Sequence, residues 1–493
     1  MSKQSAHKHT TDIYAIARQT MIDAGFEPDF KPPVLDEVKL ASAKAAELVA
    51  ESSVKDLRNL LWSSIDNETS RDLDQVEYAE KLPSGDIRLL IGIADVDAFV
   101  PKGSATDKRA EQNCTSVYTG VKTFAMLPEE LSTDLTSLIA NADRRAIVTE
   151  MMVASDGTVK VKDIYPAVLR NHAKLSYEVI GAWLDGKSEV PDGVKSVAGL
   201  EEQIKLQNQT AQLLGELRKK HGSLELGTIQ TTPVVDDSGR VVELAVAEQN
   251  AARDLIANFM VGANVAMAKF LEDKGGPSLR RVVHVPKYWS RIVEIAAEAG
   301  EQLPAEPDSR ALADFLARRK AEDPVHFPDL SLAIVKSLGP GEYEVQMPGE
   351  EGEGHFGLAV EDYTHSTAPN RRYADLVTQR LVKAALANQP TPYDGNKLKE
   401  IAQQCTERED AARKVQRKMR KVAAALLLRN QIGKQFDAIV TGASEKGTYA
   451  RILRPPVDGR VTRGEQGLRV GEKTRVRLLS TDADRGFIDF ARA

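Results

Sequence analysis

Between positions 64 and 77 the chain reads Ser-Ile-Asp-Asn-Glu-Thr-Ser-Arg-Asp-Leu-Asp-Gln-Val-Glu, which places Asp66, Asp72 and Asp74 within nine residues. Carboxylates this close repel one another, and keeping them ionised together requires a counter-charge. Hard oxygen donors on a loop suit Mg²⁺ or Mn²⁺ better than zinc. A calcium loop counted from Asp66 finds oxygen donors at its ligand positions. It fails at Arg71, where the sharp turn needs glycine, and a strand-like run follows instead of a second helix. A solvated acidic loop is the plainer alternative.

A second group of chemically capable residues lies at 363 to 376, Tyr-Thr-His-Ser-Thr-Ala-Pro-Asn-Arg-Arg-Tyr-Ala-Asp-Leu. Pro369 suits the first turn of a helix, whose free N–H groups and positive dipole end favour anions. Arg371 and Arg372 in that turn are unfavourable unless something negative sits nearby. The pair therefore predicts either a bound phosphate or an internal partner such as Asp375.

Both groups need a frame. Helical periodicity covers 11–25 and 35–62, separated by Phe26-Glu-Pro-Asp-Phe-Lys-Pro-Pro, which no helix crosses easily. Ile87 to Val100 and Ile147 to Val161 read as strands of a mixed sheet, the second broken by a Ser-Asp-Gly-Thr turn. Helical patterns return at 199–221 and 248–273, with Gly-Gly-Pro as a stop, and continue to about 320. A long helix follows over 396–430, with basic residues around Val415, Met419 and Val422. The pattern then alternates, giving candidate strands at Phe436–Gly442, Thr448–Leu453, Lys473–Leu478 and Gly486–Phe490, enough for a small barrel. The fold class is α+β: a short helical N-terminal extension at 1–55, a large mixed-sheet and helix domain at 56–430, and a small all-β barrel at 431–493.

With 42% hydrophobic and 5% aromatic residues over 493 positions, the composition excludes a fibrous, disordered or membrane-embedded protein. No run approaches the ~20 apolar residues of a membrane span, and the first eight residues carry no signal segment. Cys114 and Cys405 lack paired metal or redox spacing and read as buried free thiols, so a cytoplasmic location is expected. The net charge of −6 hides a division. From Arg408 to Ala493 there are 20 Lys and Arg against 10 Asp and Glu, which marks the C-terminal end as the candidate polyanion-binding part.

Taken together, these segments resemble the RNase II family of exoribonucleases, from about residue 56 to the C-terminus. The family signature Ile-Asp-x5-Asp-x-Asp-Asp is matched by Ile65-Asp66 through Asp72-Leu73-Asp74, with Gln75 in place of the fourth Asp. Met-Leu-Pro-Glu-Glu-Leu-Ser stands at 126–132, and Ala368-Pro-Asn-Arg-Arg-Tyr-Ala-Asp-Leu resembles the Ser-Pro-x-Arg-Arg-Tyr-x-Asp-Leu element. The barrel resembles the family's S1-type OB-fold RNA-binding module.

The resemblance implies metal-dependent 3′-to-5′ hydrolysis of single-stranded RNA to nucleoside 5′-monophosphates. Mg²⁺, or Mn²⁺, would be held by Asp66, Asp72, Asp74 and Gln75. Arg371 and Arg372 would act on the scissile phosphate beside Asp74, and Tyr118 and Tyr177 would contact the 3′-terminal bases. A monomer is expected. Three departures stand out: Gln75, Ala257 and Asn258 where the family commonly has Glu, and Leu226 at a position for a base-stacking aromatic. They keep open a catalytically inactive RNA-binding relative as the alternative.

Overall fold

From Trp62 onward, branched residues fill runs just long enough for strands. The computed structural model describes residues 12–51, 54–227, 231–236, 239–444 and 447–493, and in it these runs build a six-stranded mixed sheet. Its strands are β1 (Lys55–Asp56), β2 (Trp62–Asp66), β3 (Gln75–Lys81), β4 (Ile87–Ala94), β5 (Asp143–Val153) and β6 (Val159–Ser176), in the order β1-β6-β2-β3-β4-β5. β1 and β2 run parallel to β6, and β3, β4 and β5 continue antiparallel. The long β6 also pairs back with β5.

Side chains alternate across a strand. Trp62, Val76 and Leu90 therefore enter one core with Tyr373, Leu376 and Leu398, while Ile65, Ala79, Leu89 and Ile91 enter another with Ile204, Leu255 and Phe259. The helices that supply those partners lie over the two faces. They are α3 (Leu200–Lys220), α4 (Ala251–Asp273), α5 (Tyr373–Leu386) and α6 (Gly395–Leu428), preceded in the chain by α1 (Ile13–Asp23) and α2 (Pro32–Val49). By length and composition α4 could cross a membrane, and burial of Leu255, Ile256 and Phe259 in the core accounts for that apolarity.

Several expectations are corrected here. The helix expected over 35–62 ends at Val49, and Trp62 begins a strand. Pro32 and Pro33 open α2 rather than block it, because the first helical turn has no N–H partner for proline to forfeit. The apolar run from Ile87 leaves the strand at Ala94, and Val96 is buried in a 3₁₀ turn instead. The reading of the first eight residues lies outside the described residues.

The C-terminal strands β7 (Gln435–Ser444), β8 (Gly447–Leu453), β9 (Pro456–Arg463), β10 (Lys473–Asp482) and β11 (Phe487–Arg492) close into a barrel ordered β7-β8-β9-β11-β10. β9 has no counterpart among the expected strands, because Pro455, Pro456 and Gly459 depress strand propensity there. Gly459 is required there by close packing, because a Cβ would strike the Phe490 ring. The barrel shares its core with the last turns of α6 and with Ile13, Ala17 and Met21 of α1. The first and last described elements therefore share one core.

Candidate functional site

Asp66 ends β2, Asp72 lies in the following loop and Asp74 stands immediately before β3. The ladder fixes Asp74, whose carbonyl accepts from the Ala94 amide at 2.9 Å. Its carboxylate, 1% exposed, accepts from the Asn370 amide at 3.1 Å and from Arg371 Nε at 3.0 Å. The acidic loop and the arginine element thus meet across nearly 300 residues of sequence. Tyr118, on the short strand Val117–Tyr118, donates its hydroxyl to Asp72 Oδ2 at 3.1 Å. Asp66 accepts from the Asn67 amide at 2.7 Å and from Ser70 Oγ at 3.0 Å.

The arginine pair sits differently from the sequence expectation. α5 starts at Tyr373, Arg372 is its extended N-cap residue, and Arg371 precedes it in a turn in which both arginine amides donate to Ala368 O. Neither arginine occupies the first helical turn. The negative partners are internal: Asp74 for Arg371, and Asp375 for Arg372 at 2.8 Å, with Asp375 also accepting from the Ala368 amide. Arg371 keeps 42% of its side chain exposed, so it can still meet a ligand.

Tyr177 opens the helix Tyr177–Leu184, and the Arg253 guanidinium lies 4.4 Å from its ring centre. Asn250 sets that pairing. Its Oδ1 caps α4 through the Arg253 amide at 3.0 Å, and its Nδ2 donates to Tyr177 O at 3.0 Å. Gly181 allows this approach, since a Cβ there would overlap the Asn250 amide. Arg253 is otherwise paired with Glu178 at 2.8 Å.

Gln75 takes no part in the hydrogen bonds that join the aspartates to Arg371 and Tyr118. It follows Asp74 directly, and alternation puts it on the side of β3 that carries Ala79, away from Val76. Among the described residues no hydrogen bond links its amide to Asp66, Asp72 or Asp74. Glu77, on that same side, is fully buried with neither carboxylate oxygen partnered, and burial together with the nearby Asp66 charge pushes its pKa well up.

Electrostatics mark the aspartate cluster as short of positive charge. Burial pushes the Asp74 carboxyl up to about 7 against the pull of Arg371, and the Asp72 charge adds to the rise. Burial also raises Asp66, although the Asn67 amide, the Ser70 hydroxyl and Arg371 oppose it. One guanidinium does not neutralise three crowded carboxylates, so the donor set fits a hard divalent cation. Among the described residues, the ligand atoms of one His/Cys/Asp/Glu group lie within 4.8 Å of one another: those of His284, Glu342 and Glu344. The three aspartates are more spread than that. His284 also lines a cavity of about 690 Å³.

Comparison with known proteins decides the family. An RNB domain model matches residues 54–388, and an RNase II-type exonuclease C-terminal S1 domain model matches 434–493. The chain belongs to the RNB-domain family. It is similar to Ribonuclease R 1 of Lactococcus lactis, 26% identical over 94% of this chain and 59% of the relative, and to Ribonuclease R of Thermotoga maritima, 29% identical over 88% and 64%. The chain therefore spans less than two thirds of the length of these curated relatives. Among solved structures, Mycoplasma genitalium RNase R in complex with ribose methylated single-stranded RNA shares the fold, with a TM-score of 0.86 and 24% identity over 98% of this chain and 78% of that one.

Within this RNB domain, sequence reasoning missed the residues that hold the site together. Ser137 Oγ, fully buried, accepts from the Leu73 amide at 2.9 Å and donates to Arg71 O at 2.6 Å, bracketing Asp72. Thr136 Oγ1 meets the Asn370 side chain. Asn250 and Arg253 support Tyr177. None belongs to a charged cluster or a recognisable spacing. The one available signal was position, since Thr136 and Ser137 closely follow the Met-Leu-Pro-Glu-Glu-Leu-Ser segment.

Proposed function

We propose that this chain is a metal-dependent 3′-to-5′ exoribonuclease that releases nucleoside 5′-monophosphates from single-stranded RNA. The observation that carries the reading is the meeting of Asp74 with Arg371, beside Asp72 and Tyr118, in a chain matched by the RNB domain model over most of its length. On this reading Asp66, Asp72 and Asp74 hold the divalent cation, Mg²⁺ with Mn²⁺ as a substitute. Bound in pairs, such ions supply Lewis-acid activation of water and stabilise charge on the leaving 3′ oxygen.

The chain's own groups do the rest. Asp74 holds Arg371 through Nε, leaving the terminal N–H groups of its fork to face the scissile phosphate. Arg372, oriented by Asp375, adds positive potential beside it. The Tyr118 ring is fixed by its hydroxyl on Asp72, and the Tyr177 ring is held on one face by the Arg253 guanidinium, so both are placed to meet the last bases. The basic side of α6 and the barrel hold the incoming strand, and we read the protein as a cytoplasmic monomer organised as 1–55, 56–430 and 431–493.

The test is incubation of the purified protein with a 5′-labelled unstructured RNA in Mg²⁺, Mn²⁺ or chelator, following product length. Metal-dependent shortening from the 3′ end is expected. Tight binding without products in either metal would overturn the proposal in favour of an inactive RNA-binding relative.

A further inference from the structure

The acidic loop and the arginine element carry the opposing charges of the site, yet the chain between them is long and their separation has to be set by something. Three consecutive residues touch both. Ser137 Oγ takes the Leu73 amide at 2.9 Å and gives its proton to Arg71 O at 2.6 Å, and the Leu138 amide donates to Leu73 O at 2.9 Å. These bonds clamp the backbone on either side of Asp72 and lead directly into Asp74. On the other side, Thr136 Oγ1 lies against the Asn370 side-chain amide and against Leu131 O at 2.8 Å. Asn370 is the residue whose backbone N–H donates to Asp74 and which precedes Arg371.

One hydroxyl proton cannot serve both the amide oxygen and Leu131 O. As placed, Thr136 Oγ1 faces Asn370 Oδ1 and Asn370 Nδ2 has no partner in the interior; turning the Asn370 amide over satisfies the bonds, with Thr136 donating to Leu131 O and accepting from Nδ2. Thr136, Ser137 and Asn370 are 2%, 0% and 1% exposed, so water cannot substitute for any of these bonds.

We propose that Thr136 and Ser137 act as a clasp of positioning residues that sets the distance and angle between the Asp72–Asp74 carboxylates and Arg371. This rests on the exonuclease reading for its consequence on rate, and on the metal-binding cluster alone for its consequence on affinity. The clasp touches neither RNA nor phosphate. Loosening it should spread the carboxylates without removing one, lowering kcat and cation affinity while leaving KM for RNA in place.

The test uses the full chain with Thr136→Val, which keeps shape and removes the hydroxyl, Asn370→Ala, which keeps the backbone N–H to Asp74, the double variant, and Thr136→Ser as the conservative rescue. Turnover of a labelled RNA, KM and Mn²⁺ affinity by titration calorimetry are read below each variant's melting transition. The expected result is about a tenfold fall in kcat and a severalfold fall in Mn²⁺ affinity for both single variants, no further loss in the double variant, and recovery in Thr136→Ser. Losses that add in the double variant, or a lowered Tm with kcat and Mn²⁺ affinity both unchanged, would overturn the clasp. If the wild type binds Mn²⁺ but turns over no RNA, the exonuclease reading fails and the Mn²⁺ affinities alone decide. If Thr136→Val does not fold, Asn370→Ala and Thr136→Ser decide.

Discussion

Charge is used in two different ways at the two ends of this molecule. In the RNB domain a few charges are desolvated and paired over long sequence distances, Asp74 with Arg371 and Arg380 with Asp107, each held at 3.0 Å or less. On α6 and the barrel the charges are numerous and mostly local, with Glu409 to Arg281 and Arg451 to Asp329 as long-range exceptions. Arg413 pairs with Glu409 one turn away, Arg475 with Asp437 at 3.5 Å with both side chains mostly exposed, and Lys414, Arg417 and Lys421 project from one side of the helix into solvent. Chemistry at phosphorus needs fixed geometry and so accepts the cost of burial. Holding a long polyanion needs summed potential and tolerates disorder in any one contact. A substitution in the first region should change rate, and one in the second should change affinity and salt dependence.

The sharpest break in that contrast is Asp74→Asn. Neutralising the carboxylate without loss of volume should lower kcat by about 10³-fold or more while leaving RNA Kd within about twofold, measured by single-turnover cleavage and filter binding. Wild-type turnover would remove Asp74 from the chemistry. Arg371→Ala comes next, at about 10²-fold in kcat, because the transition-state charge loses a donor that faces it. The loss also leaves Asp74 buried without its cation, so its pKa should climb and the acid limb of the rate profile should move to higher pH.

On the other side of the comparison, the triple change of Lys414, Arg417 and Lys421 to Ala should weaken RNA binding by about tenfold at moderate salt. It should also lower the slope of log affinity against log salt by about 2, with kcat at saturating RNA unchanged. This variant is a cleaner test than removing the barrel, because Val415, Met419 and Val422 on the opposite side of α6 pack into the barrel core and would be stripped bare.

The smallest expected effect is a matter of pH. With Asp74 near 7 in the folded protein against 3.8 for an ordinary Asp, the metal-free native state holds a proton that the unfolded chain has lost between those values. Stability from this group is therefore full below about pH 4, falls as pH rises toward 7 and levels off above it. Asp74→Asn should be flatter over that window, with a Tm difference from wild type on the order of a few degrees. A divalent cation competes with the same proton, so Mn²⁺ should raise the wild-type Tm more at pH 8 than at pH 6. Equal shifts at both pH values would separate the cation from Asp74.

The helices were legible because their apolar periodicity is long: 199–221 and 396–430 were placed within two residues of α3 and α6. The short strand Trp62–Asp66 was not read: its first residue was absorbed into the helical pattern at 35–62, and the remaining four carry too little alternation to stand out. β9 was hidden by Pro455, Pro456 and Gly459, which signal turns unless Phe490 is known to lie against them. At the candidate site, charged residues showed themselves through unfavourable clustering, which singled out Asp66, Asp72, Asp74, Arg371 and Arg372 as candidates, and the structure brings Asp74 and Arg371 into contact. Gln75, next to Asp74 in sequence, begins β3 and takes no part in the hydrogen bonds that join Asp72 and Asp74 to Tyr118 and Arg371. Thr136, Ser137 and Asn250 act through single hydrogen bonds to backbone far along the chain, and such bonds leave no pattern to read.

The shared core of α1, α6 and the barrel has a kinetic side. Ile13, Ala17 and Met21 lie in one cluster with Val415, Met419 and the barrel interior, so α1, the end of α6 and the barrel should exchange their amide hydrogens as one cooperative unit, which native-state hydrogen exchange would check.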